Sequence, residues 1–193
     1  MEKQNLQKKT ELIFILEQEI LSIMNDSTEL KLENTQKENI IFAQATKADI
    51  DELIRLRIAY MKEHFGSVTE VEKECMKNQL TDYFARKLGT ELIAFVARKS
   101  GKFISAAYLL IIEMPANSML LNGLYGEVLS VYTEPEYRSR GLCTRLIHNL
   151  VEYGKERGLG RIDLSATDDG YPLYKKAGFK DKEHRYRDMR YTF

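Results

Sequence analysis

Ile50, Leu53, Ile54, Ile58, Met61 and Phe65 fall three or four residues apart and define one apolar helical face, which Gly66 stops. Before it, Ile40 to Ala45 reads as a short strand ending at Thr46, whose side chain can cap the helix with Asp49 in its first turn. A second helix is predicted from Thr69, with Glu72 at capping-box spacing and Val71, Cys75, Met76, Leu80 and Phe84 as its buried face before Gly89. Leu92 to Arg98 and Phe103 to Glu113 are β-rich runs joined by Lys99-Ser-Gly-Lys102, which reads as a hairpin.

Met114 to Gly123 is a loop leading to a long strand, Tyr125 to Thr133. A helix follows on Leu142, Leu146, Ile147, Leu150 and Val151, closed by Gly158. Ile162, Leu164 and Ala166 alternate as a strand, Tyr171 to Ala177 is a short helix ended by Gly178, and Phe179 to Phe193 can supply one or two final strands. Strand–helix–strand order demands parallel pairing and hairpins demand antiparallel, so the pattern predicts a mixed α/β sheet over residues 40–193. Upstream, Leu6, Ile13, Leu16, Ile20 and Ile23 recur at heptad-like spacing and predict an added helix from Gln4 to Met24, with a polar linker from Asn25 to Asn39. The stripe on that helix is too wide to stay wet, so it is expected to pack on its own domain or to pair with a second copy as a homodimer.

Composition narrows the partners. The 193 residues carry 44% apolar and 30% charged side chains with zero formal net charge, which removes the electrostatic reason to expect nucleic acid or an anionic membrane. The apolar runs are too short to span a bilayer and no signal-peptide pattern opens the chain, so a cytoplasmic protein acting on small molecules is expected. Cys75 and Cys143 lack metal or redox spacing and there are three histidines, so no metal site is expected.

The chemistry gathers where a strand gives way to a helix, at Thr133-Glu-Pro-Glu-Tyr-Arg138-Ser-Arg-Gly141. A helix that starts in a Gly-bearing loop aims its unpaired N–H groups and positive dipole end at one spot, which suits a phosphate. Gly141 allows close backbone approach, and Arg138 and Arg140 can add charge-assisted bonds. The alternative reading is a plain turn with solvated arginines. Leu142 anchors the helix in the core in either case.

At these residues the sequence resembles the GNAT superfamily of acetyl-CoA-dependent N-acetyltransferases. Arg138-Ser139-Arg140-Gly141-Leu142-Cys143 fits the family's pyrophosphate-loop pattern Q/R-x-x-G-x-G/A except at Cys143, whose Cβ narrows the approach. Pro172 to Phe179, PLYKKAGF, resembles the segment carrying the family's catalytic tyrosine. The resemblance implies a mostly antiparallel sheet with one splayed parallel strand pair, flanked by helices. It implies that Val131, Tyr132 and Thr133 line the pantetheine arm, and that Ser139 to Thr144 offer N–H groups to the diphosphate with Arg138 or Arg140 beside it. Tyr174 would donate a proton to the departing thiolate, with an N–H near Val131 as oxyanion donor.

For the base, Glu127 either works through waters or sits on a solvated strand end, since the nearer position holds Leu129. Glu134 and Glu136 are expected to be solvated, His148 to lie on the surface, and Asp168 and Asp169 to cap the short helix or, alternatively, to meet a cationic substrate. The expected activity is acetyl transfer from acetyl-CoA to a primary amine of a small molecule or peptide. The alternative is a CoA-binding sensor or interaction module on the same fold.

Overall fold

A computed structural model describes residues 39–182, 187 and 189–193. The predicted helix at 4–24 and the linker after it lie outside the described residues. Five strands, β1 (Ile41–Gln44), β2 (Leu92–Lys99), β3 (Lys102–Glu113), β4 (Leu124–Thr133) and β5 (Ile162–Asp163), form one sheet in chain order. The first four pair antiparallel, and β4 pairs β5 in parallel. The expected mixed sheet is therefore present, with helices α1 (Ile50–Phe65) and α2 (Glu70–Lys87) on one face and α3 (Leu142–Glu156) and α4 (Tyr171–Lys176) on the other.

Local chemistry explains the elements. Ser100 and Gly101, at φ of 50° and 82°, make the mirror-image two-residue turn whose twist matches a β-hairpin. Thr69 with Glu72 closes a capping box on α2, whereas Thr46 with Asp49 closes one on a 3-10 turn, Lys47–Asp49, that precedes α1, and Asp49 rather than Thr46 stands at the N-cap of α1. Helices cover both faces of the central strands, so Leu92 through Ala97 are all buried rather than alternating. Leu92, Ala94 and Val96 meet Leu53, Leu56 and Phe84 from α1 and α2, while Ile93 and Phe95 meet Leu146, Ile147 and Leu150 from α3. Each such side chain removed from water contributes roughly 1.5–3 kcal/mol.

Three expectations are corrected. The face predicted for α2 holds only near its C-terminal end: Phe84 is buried against Tyr108, Met76 and Leu80 are half-buried, and Val71 and Cys75 are exposed. The helix meets the sheet through its last turns, and none of the described residues covers its first turns. β5 ends at Asp163 rather than Ala166, because the chain leaves β4 there. Asp168 and Asp169 are exposed and do not cap α4; the Thr167 hydroxyl accepts from the Gly170 N–H at 3.2 Å instead. The final strands expected from Phe179 to Phe193 are not found among the described residues there, 179–182, 187 and 189–193.

Candidate active site

The strand-to-helix junction takes the form its residues favour. Pro135–Tyr137 makes one turn of 3-10 helix, Ser139 and Gly141 have φ of 59° and 79°, and α3 begins at Leu142. The first bond into the helix runs from the Arg145 N–H to the Gly141 carbonyl at 3.1 Å, so the N–H groups of Leu142, Cys143 and Thr144 head the helix without carbonyls of their own. A Cβ built on Gly141 would meet nothing within 4 Å, so glycine is required there by its left-handed backbone and the space over the loop is open. Leu142, 2% exposed and packed on Ala97 and Ile104, pins the helix start to the sheet.

Next to this loop the sheet comes apart. β4 and β5 pair at Gly126 with Ile162 and at Glu127 with Asp163; beyond Glu127 the edge of β4 that faces β5 has no strand beside it among the described residues. On its other edge β4 carries one extra residue: Leu129 pairs with Tyr108 and Tyr132 with Ala106, so Ser130 and Val131 oppose Ala107 alone. Ser130 takes φ of 53°, a left-handed conformation uncommon for serine, which re-aims the main chain at this point. Val131 packs toward α3, and Leu129 and Tyr132 pack toward α1. Thr133 Oγ1 lies 2.7 Å from Ser105 Oγ.

Tyr174 and Glu127 stand on opposite faces of the sheet. Tyr174 belongs to the layer around α3, with its ring edge-on to Phe179 and so close to Gly170 that a Cβ there would lie 3.1 Å from it. Burial is the main reason its phenol is pushed well above the usual tyrosine range; Cys143 in the first turn of α3 and Tyr60 on α1 add to it. The hydroxyl thus stays protonated at neutral pH. Glu127 is half-buried and pairs in register with Leu110, two residues before Leu129; both leucines pack toward α1 and α2, so its side chain shares that face.

The arginines are already engaged. Arg138 donates from Nε to the Thr133 carbonyl at 2.9 Å and from Nη2 to Glu63 at 2.6 Å, with its guanidinium over the Tyr132 ring. Arg140 donates to the Glu136 carbonyl at 2.9 Å and lies over Tyr137. Glu134 is not solvated as expected: Arg55 on α1 reaches it at 2.5 Å while also holding Glu52 and the Phe103 carbonyl. His148 is exposed, as expected.

Sequence reasoning missed what α1 contributes. Arg57 donates from Nη1 to Ser130 Oγ and lies 5.3 Å over the Tyr60 ring; Tyr60 stacks on His64 and meets Tyr132 edge-on at 6.1 Å. The available signal was spacing, since Arg57, Tyr60 and His64 stand three and four residues apart beside the apolar stripe. Tyr174 also lines a groove of about 960 Å³ with Val151, Ile162, Leu164 and Phe179. None of its lining residues comes from the loop or from β4, so it is not the slot where the sheet opens.

Comparisons with known proteins agree with this geometry. Residues 53–179 match the Acetyltransferase (GNAT) family. A glucosamine 6-phosphate N-acetyltransferase of Trypanosoma brucei brucei is 26% identical over 102 residues, 53% of this chain and 67% of that protein. A probable glucosamine 6-phosphate N-acetyltransferase 2 of Oryza sativa subsp. japonica is 37% identical over 60 residues, which spans 31% of this chain and 36% of that protein. A predicted acetyltransferase from Clostridium acetobutylicum, solved with acetyl-CoA, superposes with a TM-score of 0.69 at 28% identity, covering 78% of this chain and 96% of the other. With the family match running from α1 through the loop to Phe179, this chain belongs to the GNAT acetyltransferase family and is an acyltransferase.

Proposed function

We propose that the chain transfers an acetyl group from acetyl-CoA to a primary amine by direct attack. The observation that carries this is the adjacency of two main-chain features: the head of α3 behind Gly141 and the edge of β4 beyond Glu127, which has no strand beside it among the described residues. An extended amide-bearing arm can pair with such an edge as an added strand would, with its diphosphate on the helix N-terminus. Val131, Tyr132 and Thr133 then line the arm, and N–H groups from Ser139 through Thr144 receive the diphosphate. Either Arg138 or Arg140 joins it by releasing its present partner.

The division of the sheet supports the chemistry. An amine approaching from the α1 face attacks the thioester carbonyl carbon, and an N–H at the bulge near Val131 receives the developing oxyanion. The C–N bond forms as the C–S bond breaks. Tyr174, on the opposite face and held neutral, gives its proton to the departing sulfur, while the proton of the amine passes through water toward Glu127. The products are an amide and free CoA thiol, and the tyrosine is restored from solvent.

The relatives named for glucosamine 6-phosphate make that amino sugar the first acceptor to try. Titration calorimetry with acetyl-CoA, followed by thiol release over a panel of amines beginning with glucosamine 6-phosphate, tests the proposal. Heat of binding with thiol release from at least one amine is expected. The absence of any heat would overturn donor binding, and binding without release would leave a CoA-responsive module in place of an enzyme.

A further inference from the structure

Three arginines that pack along α1 are matched with carboxylates among the described residues, and Arg57 is not. Arg55 holds Glu52 and Glu134, Arg98 holds Asp49, and Arg138 holds Glu63. Arg57 is half-buried, donates to the Ser130 hydroxyl, lies over Tyr60, and has no carboxylate at ion-pair distance among the described residues. A guanidinium withdrawn from water without a counter-charge is costly to keep. It presents five N–H donors in a fixed fork, and the Ser130 oxygen uses Nη1 alone.

Its place makes this informative. Ser130 is the bulged residue of β4, so Arg57 stands directly on the α1 side of the point where the strand re-aims its main chain. Tyr60, Tyr132 and His64 surround that side with rings. On the reading above, this is the face from which the amine arrives.

We infer that Arg57 recognises an oxyanion on the acceptor, so that the substrates are primary amines carrying a phosphate or carboxylate. This rests on the acetyl-transfer reading and adds the charge class of the second substrate. The free edge of the guanidinium binds the oxyanion in a paired geometry while Nη1 keeps its hold on Ser130. Bound acceptor supplies the missing counter-charge, and a neutral amine leaves it unmet.

Two matched pairs test the inference: glucosamine 6-phosphate against glucosamine, and glycine against glycinamide. Each is titrated by calorimetry into the full chain saturated with CoA, and kcat/KM is measured where thiol is released. In at least one pair the anionic member is expected to bind at least about 30-fold more tightly, as a charge-assisted paired hydrogen bond allows. Arg57→Ala should bring that ratio close to one, and Arg57→Lys should restore part of it, because a point charge lacks the fork. Ser130→Ala, which removes the tie to the bulge and keeps the guanidinium, should retain the preference. The pair that shows it distinguishes phosphate from carboxylate.

The inference is overturned if neither pair shows a preference in the native chain. It is also overturned if Arg57→Ala weakens both members of a pair equally, which would make Arg57 a clamp for the bulge. Failure of the transfer reading would appear separately, as acceptor binding intact with no thiol released.

Discussion

Arg138 Nη2 stands 2.6 Å from Glu63 Oε2, tying the loop at the head of α3 to the last turns of α1 across the end of β4. Both side chains are more than 40% exposed, so the tie is worth no more than about 1 kcal/mol. It nevertheless competes for an arginine that the diphosphate of acetyl-CoA would attract. Glu63→Gln is expected to tighten acetyl-CoA binding up to about 5-fold and to steepen its salt dependence, both read by calorimetry at two ionic strengths. Weaker binding in the variant would mean that Glu63 positions Arg138 for the ligand instead.

Removing the Tyr174 hydroxyl separates catalysis from binding. Tyr174→Phe keeps the ring on Gly170 and Phe179 and loses the hydroxyl proposed as proton donor. kcat should fall by about 10²-fold or more while acetyl-CoA affinity stays within about 2-fold, as general-acid loss allows. Unchanged turnover would remove Tyr174 from the mechanism.

The two cysteines should differ in reactivity. Cys75 is exposed on α2, whereas burial pushes the Cys143 thiol up to about 11. The thiolate fraction of Cys143 at pH 8 is then on the order of 10⁻³, and the thiolate is the nucleophile. Iodoacetamide at that pH should label Cys75 first, with Cys143 slower by about 30-fold or more on peptide mass spectrometry. Saturating acetyl-CoA should slow Cys143 further, since that residue stands in the first turn of α3, where the diphosphate is proposed to bind. Equal labelling of both sites would contradict the packing of Cys143 against the α3 layer.

Acid should loosen the contact between α1 and the hairpin. Arg55 hydrogen bonds hold the Glu52 carboxyl below the usual glutamate range against the opposing effect of burial, and the Phe103 N–H adds to them at 2.8 Å. A depressed carboxylate stabilises the fold above its unfolded pKa of about 4.3, and that contribution disappears as pH falls through the lower folded value. Denaturant midpoints should therefore drop below about pH 4 in the native chain and drop less in Glu52→Gln, whose stability is already lower at pH 7. Parallel pH profiles would show that Glu52 does not titrate as its bonds require.

What could be read in advance was what neighbouring residues decide. The Ser100–Gly101 turn, the Thr69–Glu72 capping box and the start of α3 after Gly141 each depend on a few consecutive side chains, and each formed as expected. The misreadings concern long-range partners. Glu134 looks like a solvated loop acid until Arg55 arrives from 79 residues away, and the exposure of Val71 depends on how far α2 extends past the sheet. No residue type announces the bulge, because serine rarely adopts φ of 53°; the pairing on β3 and the bond from Arg57 accompany it.

The early divergence of β5 from β4 has a consequence for the life of the protein. Among the described residues, two residue pairs are all the strand pairing that joins β4 to β5, and packing on α3 holds the rest of the segment after Arg161. A donor molecule lying along the open edge would act as a missing rung, knitting the late part of the chain to the early part. Without that donor the seam between β4 and β5 would open more readily and expose the segment after Arg161 to proteases, so a donor that binds there would also protect the chain.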